Sequence, residues 1–202
     1  HLNRDLVQFP ANVTNRTEAI AHRIATAGIY RKVADNQVKA LRFILSGSHE
    51  DMLQLESDGR LEEWCHSTMQ WLYTTFGKAN VVAATLHADE ETPHIHATVV
   101  PIVTGERRKA RQEAENGKRK YKTKKNKIRL CADDLLTPKK LEEYQTSYAE
   151  QMRPFGLSRG VQGSEAKHRT NMEYYKELLK ETKQKQLEEE ELIQKVRELE
   201  KQ

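Results

Sequence analysis

The sequence predicts an α+β domain in which a central antiparallel sheet is flanked by helices and followed by a long C-terminal helix. The sheet is indicated by apolar runs at 80–87 and 94–103 and by the six residues ADEETP that join them. So short a connection suits an antiparallel hairpin, because parallel neighbours need a crossover of about a dozen residues or more. Residues 38–48 (VKALRFILSGS) predict a further buried strand that ends at Ser46 and Gly47.

Three helices are predicted around this sheet. The first lies within TNRTEAIAHRIATAG, with Asn15 or Thr17 as its N-cap. The second is indicated by apolar residues that recur at helical spacing over 61–76. The third has Thr137 as N-cap and Pro138 at the first helical position, where proline is favoured.

The C-terminal segment, residues 169–202, contains no Gly or Pro, and nine Glu are interspersed with eight Lys or Arg. This composition predicts a long solvated helix. A heptad register is interrupted by Thr182, Lys185 and Glu189, so a coiled coil and a connecting helix fit the pattern equally. We expect a main domain at 1–168, followed by a helix that leads to a further C-terminal region and supports self-association or a coupling partner.

Composition limits the class of protein. The chain has 202 residues, 37% hydrophobic and 32% charged, which predicts one main domain and extra helix. It has no membrane segment of about 20 apolar residues and no signal-peptide pattern, so we expect a cytoplasmic protein. Cys65 and Cys131 lack CxxC spacing and are expected to be small core residues. Since residue 1 is His1 rather than Met, we expect the chain to begin partway into a longer protein.

A basic insertion at 105–128 follows the second strand of the hairpin. Residues 106–127 contain eleven Lys or Arg and three Glu, a net charge of +8, whereas the whole chain carries +4, so the remainder sums to −4 (+4 minus +8). This asymmetry indicates an anionic partner, and nucleic acid fits because Lys and Arg release counterions when they bind phosphates. A solvated loop without a dedicated ligand is the alternative. The candidate DNA contacts, including one tyrosine ring for stacking on an unpaired base, are Arg107, Arg108, Lys118, Arg119, Lys120 and Tyr121.

The decapeptide HADEETPHIH, residues 87–96, places three histidines around the predicted turn. Strand residues two apart project to the same face, so His94 and His96 lie side by side, and hairpin pairing brings His87 next to them. Three imidazoles on a rigid hairpin leave coordination positions open for water or substrate, as catalytic metal sites require. A single strand histidine is usually structural, but this set of three predicts a metal site.

The ligand types narrow the metal only in part. Imidazole suits Zn, Cu, Fe, Ni and Mn, and the carboxylates of Asp89 and Glu90 widen the choice toward harder ions. We expect a divalent ion, Mn or Mg first, with Zn, Ni or Co as alternatives. Glu90 is either an exposed loop acid or a group that orients or deprotonates a catalytic side chain. Pro93 stiffens the chain before His94.

HADEETPHIH followed by ATVVP resembles the HxDExTPHxH motif of the MobV/Pre-type plasmid mobilisation relaxases, which belong to the HUH single-strand endonucleases. HLNRDL at the start resembles the family's short Asn-containing second motif, and GSEAKHRT resembles its segment after the last domain helix. The resemblance extends from residue 1 to about residue 175 and implies a HUH relaxase fold with a ferredoxin-like or RRM-like core.

The resemblance also implies an activity: a metal-dependent relaxase that nicks one DNA strand at an origin of transfer and forms a covalent link to the 5′ phosphate. The implied metal ligands are His87, His94 and His96, and Glu90 is implied to position or deprotonate the nucleophile. The implied partner is origin-of-transfer DNA, single-stranded or hairpin near the nick site. Family segments suggest further DNA contacts at Asn3, Arg4, Arg31 and Lys167, and for the three cations an ordinary surface charge is an equally simple interpretation.

The nucleophile is where the chain departs from the family pattern. In that family the attacking residue lies on a strand upstream of the second motif, and this chain begins at that motif. We therefore expect the nucleophile to precede His1. His22 lies on a predicted helix and is expected to be a surface histidine. Tyrosines remain formal candidates, although Tyr144 and Tyr148 are predicted to share a helix face; the full set is Tyr30, Tyr121, Tyr144, Tyr148, Tyr174 and Tyr175.

Two other classes of function stay open on the sequence alone. One is a DNA-binding module in which the metal only stabilises the fold, and the other is a metal-dependent phosphodiesterase that acts on small phosphoesters. An open coordination position on the metal would distinguish a catalytic site from the DNA-binding module. In a phosphodiesterase for small phosphoesters, the basic insertion would have no role.

Overall fold

A computed structural model describes residues 3–105, 127–160 and 183–185. The chain divides into two units, His1–Gly160 and Val161–Gln202. All strands described below belong to the first unit.

Several predicted features lie mostly in residues outside these described ranges. The domain boundary at residue 168 and nearly all of the basic insertion lie outside the described residues. Within the predicted C-terminal helix, the described residues 183–185 are helical.

Four strands form the main sheet in the order β1-β3-β4-β2, and they comprise β1 (Arg4–Asp5), β2 (Leu41–Leu45), β3 (Val81–His87) and β4 (His94–Val99). β3 and β4 are an antiparallel hairpin in which His87 lies opposite His94. β2 is antiparallel to β4, with Ile44 opposite His96. The predicted α+β class with an antiparallel sheet is therefore confirmed. A separate two-stranded ribbon consists of β5 (Ile102–Val103) and β6 (Arg129–Leu130).

Four helices accompany the sheet: α1 (Arg16–Thr26), α2 (His49–Ser57), α3 (Leu61–Phe76) and α4 (Pro138–Met152). Three of them were predicted, and the predicted caps are present: Asn15 accepts from the backbone N–H of Glu18, and Thr137 from that of Lys140. α2 was missed because only two of its nine residues are buried apolar side chains, which is too few for a periodic signal.

One face of the sheet packs against α2, α3 and α4 to form the main core. Leu45, Ile95 and Val99 from the strands meet Trp64 of α3 and Met152 of α4. Trp64, Ile95, Val99 and Met152 are 0% exposed, so this face is fully desolvated. We call this side of the sheet the helix-packed face.

A smaller apolar cluster joins α1 to the start of β3 and to the ribbon, through Ala19, Val82, Val100 and Leu130. Cys65 is buried, as predicted, whereas Cys131 is only half-buried. In the part of the chain that the structure describes, no helix combines the length and apolarity needed to span a bilayer.

Candidate metal centre

The histidines lie on the opposite side of the sheet from the main core. Along β4, Ile95 and Ala97 are buried against the helices, and the residues that alternate with them point the other way. His87 is opposite His94 and Thr85 is opposite His96, so His87 and Thr85 share their face. We call this side the histidine face.

The three imidazole rings form a compact group on this face. The ring centroids of His87 and His94 are 5.1 Å apart and the rings are stacked, with 5° between their planes. The His96 ring lies 4.8 Å from each of the other two, at 65° and 67°. The predicted convergence of the three histidines is therefore present in the fold.

Glu90 from the connecting ADEETP loop (residues 88–93) adds a carboxylate to the group. Its Oε1 lies 3.3 Å from His87 Nδ1, and its Oε2 lies 3.9 Å from His94 Nε2. One ligand atom from each of His87, Glu90 and His94 lies within 4.8 Å of the other two. The Glu90 side chain remains 59% exposed, so its carboxylate is solvated on one side.

Hydrogen bonds orient His94. The carbonyl of Thr92 lies 2.9 Å from His94 Nδ1, and a carbonyl can only accept, so Nδ1 donates, and in the neutral ring this leaves the lone pair on Nε2. The hydroxyl of Thr92 is in turn 2.8 Å from Nδ1 of His49, the first residue of α2. This chain of contacts is the kind of support that orients metal-bound imidazoles.

His96 is in an environment that favours its neutral form. Burial lowers its pKa below the ordinary value of 6.5, and the nearby His94, His87 and Arg42 act in the same direction, while Glu90 opposes them. Only neutral imidazole offers a lone pair to a metal, so the lowered pKa keeps this ring competent over a wider pH range.

The ADEETP loop is tied down at both ends. At its start, the backbone N–H of Ala88 donates to Asn3 Oδ1 at 3.0 Å. At its end, Ser46 Oγ donates to the carbonyl of Pro93 at 2.9 Å, and Pro93 is fully buried. Asn3, a predicted DNA contact, therefore has a structural role in holding the loop that carries Glu90.

The other predicted DNA contacts are spread over different places. Arg4 forms an ion pair with Glu62 of α3, and its strand neighbour Asp5 instead accepts from Thr85 Oγ1 of the histidine face at 2.7 Å. Arg31 is exposed in the segment between α1 and β2. For both arginines, DNA contact stays a prediction. Seven predicted contacts lie outside the described residues: Arg107, Arg108, Lys118, Arg119, Lys120, Tyr121 and Lys167.

Three of the side chains considered as nucleophiles have other surroundings in the described part of the chain, whereas Tyr121, Tyr174 and Tyr175 lie outside the described residues. His22 is exposed on α1, as predicted. Tyr144 and Tyr148 pack edge-on against Trp71 in the main core, and burial raises the pKa of Tyr148 to about 12. A buried phenol of high pKa on the helix-packed face is unsuited to attack on DNA.

Sequence reasoning missed three residues around the site: His49, Thr92 and Arg42. Arg42 Nη2 lies 3.5 Å from His96 Nδ1. The signal for Thr92 was present in the TPH sequence of the motif. For Arg42 and His49 the signal was absent, because both contacts join segments that are distant in the chain.

This donor set fits a divalent ion. Ligand atoms of His87, Glu90 and His94 lie close together on a face that keeps solvent access, and the ring of His96 lies beside them. Imidazole nitrogens and a carboxylate are donors that divalent ions accept. Imidazole alone would favour zinc or nickel, and the carboxylate extends the choice to manganese and magnesium.

Comparison with solved structures identifies the fold. The MobM relaxase domain, in a Mn-bound crystal structure with plasmid pMV158 oriT DNA, superposes with a TM-score of 0.64 over 87% of this chain and 80% of that chain, at 22% identity. A second structure of that domain, bound to 26-nucleotide pMV158 oriT DNA, superposes with a TM-score of 0.63 over 85% of this chain and 86% of that chain, at 21% identity. The fold is thus that of the MobM relaxase domain, although its DNA and metal belong to that protein.

Sequence relatives match over most of the chain. A 65 kDa protein of Zymomonas mobilis is 35% identical over 69% of this chain and 20% of its own length. A plasmid recombination enzyme of Bacillus thuringiensis is 30% identical over 83% of this chain and 31% of its own length. The chain thus spans between a fifth and a third of these relatives. The plasmid recombination enzyme family (Mob_Pre) matches residues 1–176, and the chain belongs to that family.

Proposed function

We propose that this chain is the DNA-nicking domain of a plasmid mobilisation relaxase, which cleaves one strand at an origin of transfer. The observation that carries the proposal is the group of three imidazoles and Glu90 on an open sheet face, in a member of the plasmid recombination enzyme family. The DNA-bound and Mn-bound MobM domain, which shares the fold, supports it.

The residues that would hold the metal are His87, His94 and His96. A divalent ion at this position supplies Lewis-acid polarisation of the scissile phosphate and offsets the negative charge on its non-bridging oxygens. We propose Mn or Mg, with Zn, Ni or Co as alternatives. The chain's own contribution is geometric: Thr92 holds the His94 ring with Nε2 free, and the hairpin holds His87 beside it.

The chemistry we propose is a transesterification. A nucleophilic side chain, which we place upstream of His1, forms a bond to phosphorus while the bond to the 3′ oxygen breaks. The products are a protein-linked 5′ phosphate and a free 3′ hydroxyl. We propose that Glu90 accepts the proton of the nucleophile or orients it, and its exposed carboxylate 3.3 Å from His87 supports this role.

We extend the proposal to organisation and partners. Residues 1–168 form the relaxase domain with its basic insertion, and 169–202 connect it to a further region, through which the protein self-associates or meets a coupling partner. The partner of the domain is origin DNA, single-stranded or hairpin near the nick, and the activity is cytoplasmic. Asn3, Arg4, Arg31, Lys167 and the basic insertion are the proposed DNA contacts.

The proposal is tested with supercoiled plasmid that carries the element's own origin region. The full-length protein is incubated with Mn or Mg, and relaxed circles bearing SDS-resistant protein are expected. The control is the same plasmid without that region. Failure to nick with every divalent ion would contradict the relaxase function.

The role of the basic insertion is tested separately. Deletion of residues 106–127 removes a net charge of +8, so DNA affinity should fall and its dependence on salt should become shallower. An unchanged salt dependence would show that this segment does not contact DNA.

A further inference from the structure

The edge strand β2 carries two exposed side chains on the histidine face. Ile44 lies directly opposite His96, and Arg42 lies opposite Thr98, so both share the face of the metal group. The first and last residues of the strand, Leu41 and Leu45, point instead to the core and are 7% and 6% exposed. Ile44 is 68% exposed.

Arg42 has a contact that metal binding would end. Its guanidinium can only donate, so His96 Nδ1, 3.5 Å from Nη2, must accept. If His96 binds a metal through Nε2, the ring proton moves to Nδ1; if it binds through Nδ1, the lone pair is used. Either way, occupation of the site releases Arg42 from His96.

The released guanidinium would lie beside the histidine group without a counter-charge. Among the described residues, no carboxylate forms an ion pair with Arg42. An unpaired guanidinium at the border of a site for a phosphodiester is a donor suited to phosphate, which it binds with two parallel N–H groups.

Ile44 adds an exposed apolar surface to the same face of β2. A branched apolar side chain that is two-thirds exposed beside a cation and the histidine group offers packing for a sugar or for the face of an unpaired base. In duplex DNA the base faces are covered by their neighbours, so this surface fits a single strand.

We propose that Arg42 and Ile44 form a nucleotide-binding strip for single-stranded DNA on β2, in which Arg42 binds a backbone phosphate next to the scissile one and Ile44 packs against the adjoining nucleoside. The proposal rests on the proposed function, because it assigns a position to the strand that the histidine group would cleave.

Binding is measured by fluorescence anisotropy with the full-length protein, Mn and a labelled oligothymidylate of about 20 nucleotides, longer than the site of a typical single-strand binding fold. Arg42→Ala should weaken binding about tenfold and reduce the slope of log affinity against log salt by about 0.7, the value for one phosphate contact on a single strand. Arg42→Lys should retain the slope. Ile44→Ala should weaken binding about threefold without changing the slope.

Arg42→Ala should change Mn affinity in the opposite direction to DNA affinity. In a calorimetric titration with Mn and without DNA, Arg42→Ala should bind Mn about threefold more tightly, because a neighbouring positive charge and a competing contact are removed. Ile44→Ala should bind Mn as the wild type does. A variant that is merely misfolded weakens both affinities, so tighter metal and weaker DNA binding together identify the proposed role.

The matched controls are an exposed cation and an exposed apolar residue on α4, which lies on the helix-packed side. Lys139→Ala and Leu141→Ala should leave DNA affinity, salt slope and Mn affinity unchanged. The proposed strip is wrong if Arg42→Ala, like Lys139→Ala, leaves DNA affinity, salt slope and Mn affinity unchanged. That is also the result expected if these two side chains bind a protein instead of DNA.

The two proposals fail differently. If the full-length wild-type protein nicks its plasmid and both Arg42→Ala and Ile44→Ala bind DNA normally, the proposed strip is contradicted and the relaxase function is not. Protein that never nicks, but shows the predicted loss of slope and gain of Mn affinity in Arg42→Ala, supports the strip as a DNA-binding surface and contradicts the relaxase function.

Discussion

The two faces of the sheet are built from the same strands and have opposite properties. On the helix-packed face, Ile95, Ala97 and Val99 are at most 1% exposed. On the histidine face of the same strand, the His94 side chain is 13% exposed and lies 3.9 Å from the carboxylate of Glu90. One face is desolvated and apolar, whereas the other gathers titratable groups that remain in contact with water.

This difference shows how the fold divides stability from chemistry. Alternation along a strand sends neighbouring residues to different environments, so the helix-packed face stabilises the hairpin on which the imidazoles are held. Adjacent residues of β4 should therefore give opposite phenotypes, and the following experiments test that separation, from the largest expected effect to the smallest.

His94→Ala should reduce the nicking rate about a thousandfold, because it removes one of the three proposed metal ligands. The rate is measured in single turnover on origin plasmid with Mn. DNA binding and the urea midpoint should be largely retained. His22→Ala, an exposed histidine on α1, is the matched control and should nick normally. A His94→Ala rate within about tenfold of wild type would contradict the assignment of the metal site.

Ile95→Ala, one residue further on, should lower the free energy of unfolding by about 2–5 kcal/mol, because the side chain is 0% exposed and its removal leaves a cavity. Urea denaturation measures the loss. Ile44→Ala makes the same change on the histidine face, where 68% exposure predicts a cost below about 0.5 kcal/mol. Equal losses at the two positions would show that the faces do not differ as described.

Glu90→Gln should weaken Mn binding about ten- to a hundredfold, because the carboxylate lies beside two of the proposed ligands and its charge offsets that of the ion. Calorimetric titration without DNA measures this. Glu91→Gln, the next acid in the same loop, is the control and should bind Mn as the wild type does. The assignment of Glu90 to the site is wrong if both variants behave alike.

The smallest effect is a pH dependence of stability without metal. Burial, the neighbouring histidines and Arg42 hold the pKa of His96 below its ordinary value of 6.5, so the unfolded chain binds this proton more readily than the folded one. Stability from this ring is fully present above pH 6.5 and is lost as pH falls through the lowered pKa. Urea midpoints in chelator should decrease toward acid pH, and more steeply than in His96→Gln. Parallel curves for the two proteins would argue against this effect.

Local sequence patterns account for much of the site. The hairpin over HADEETPHIH, the N-caps Asn15 and Thr137, and the convergence of three histidines all follow from strand alternation, loop length and capping chemistry. These features could be predicted because each depends on residues close in sequence, within the first turn of a helix or within one hairpin.

Contacts between distant segments could not be predicted in this way. β2 and β4 are separated in the chain by α2, α3 and β3, and their register, which places Ile44 against His96 and Arg42 near its ring, depends on how α2 and α3 pack beneath the sheet. The pairing of Arg4 with Glu62 and of His49 with Thr92 has the same origin. Neither side of such a contact carries a local pattern that identifies its partner.

The sequence by itself thus determined the class of fold, the family motif and the convergence of three histidines on one hairpin, because alternation and a six-residue loop leave little freedom to the chain between His87 and His96. Only the tertiary structure decided which side of the sheet stays open, that His49 of α2 contacts Thr92, and which side chains of β2 border the site. Those outcomes depend on burial against helices remote in sequence, where the free energy of packing acts on the whole domain at once.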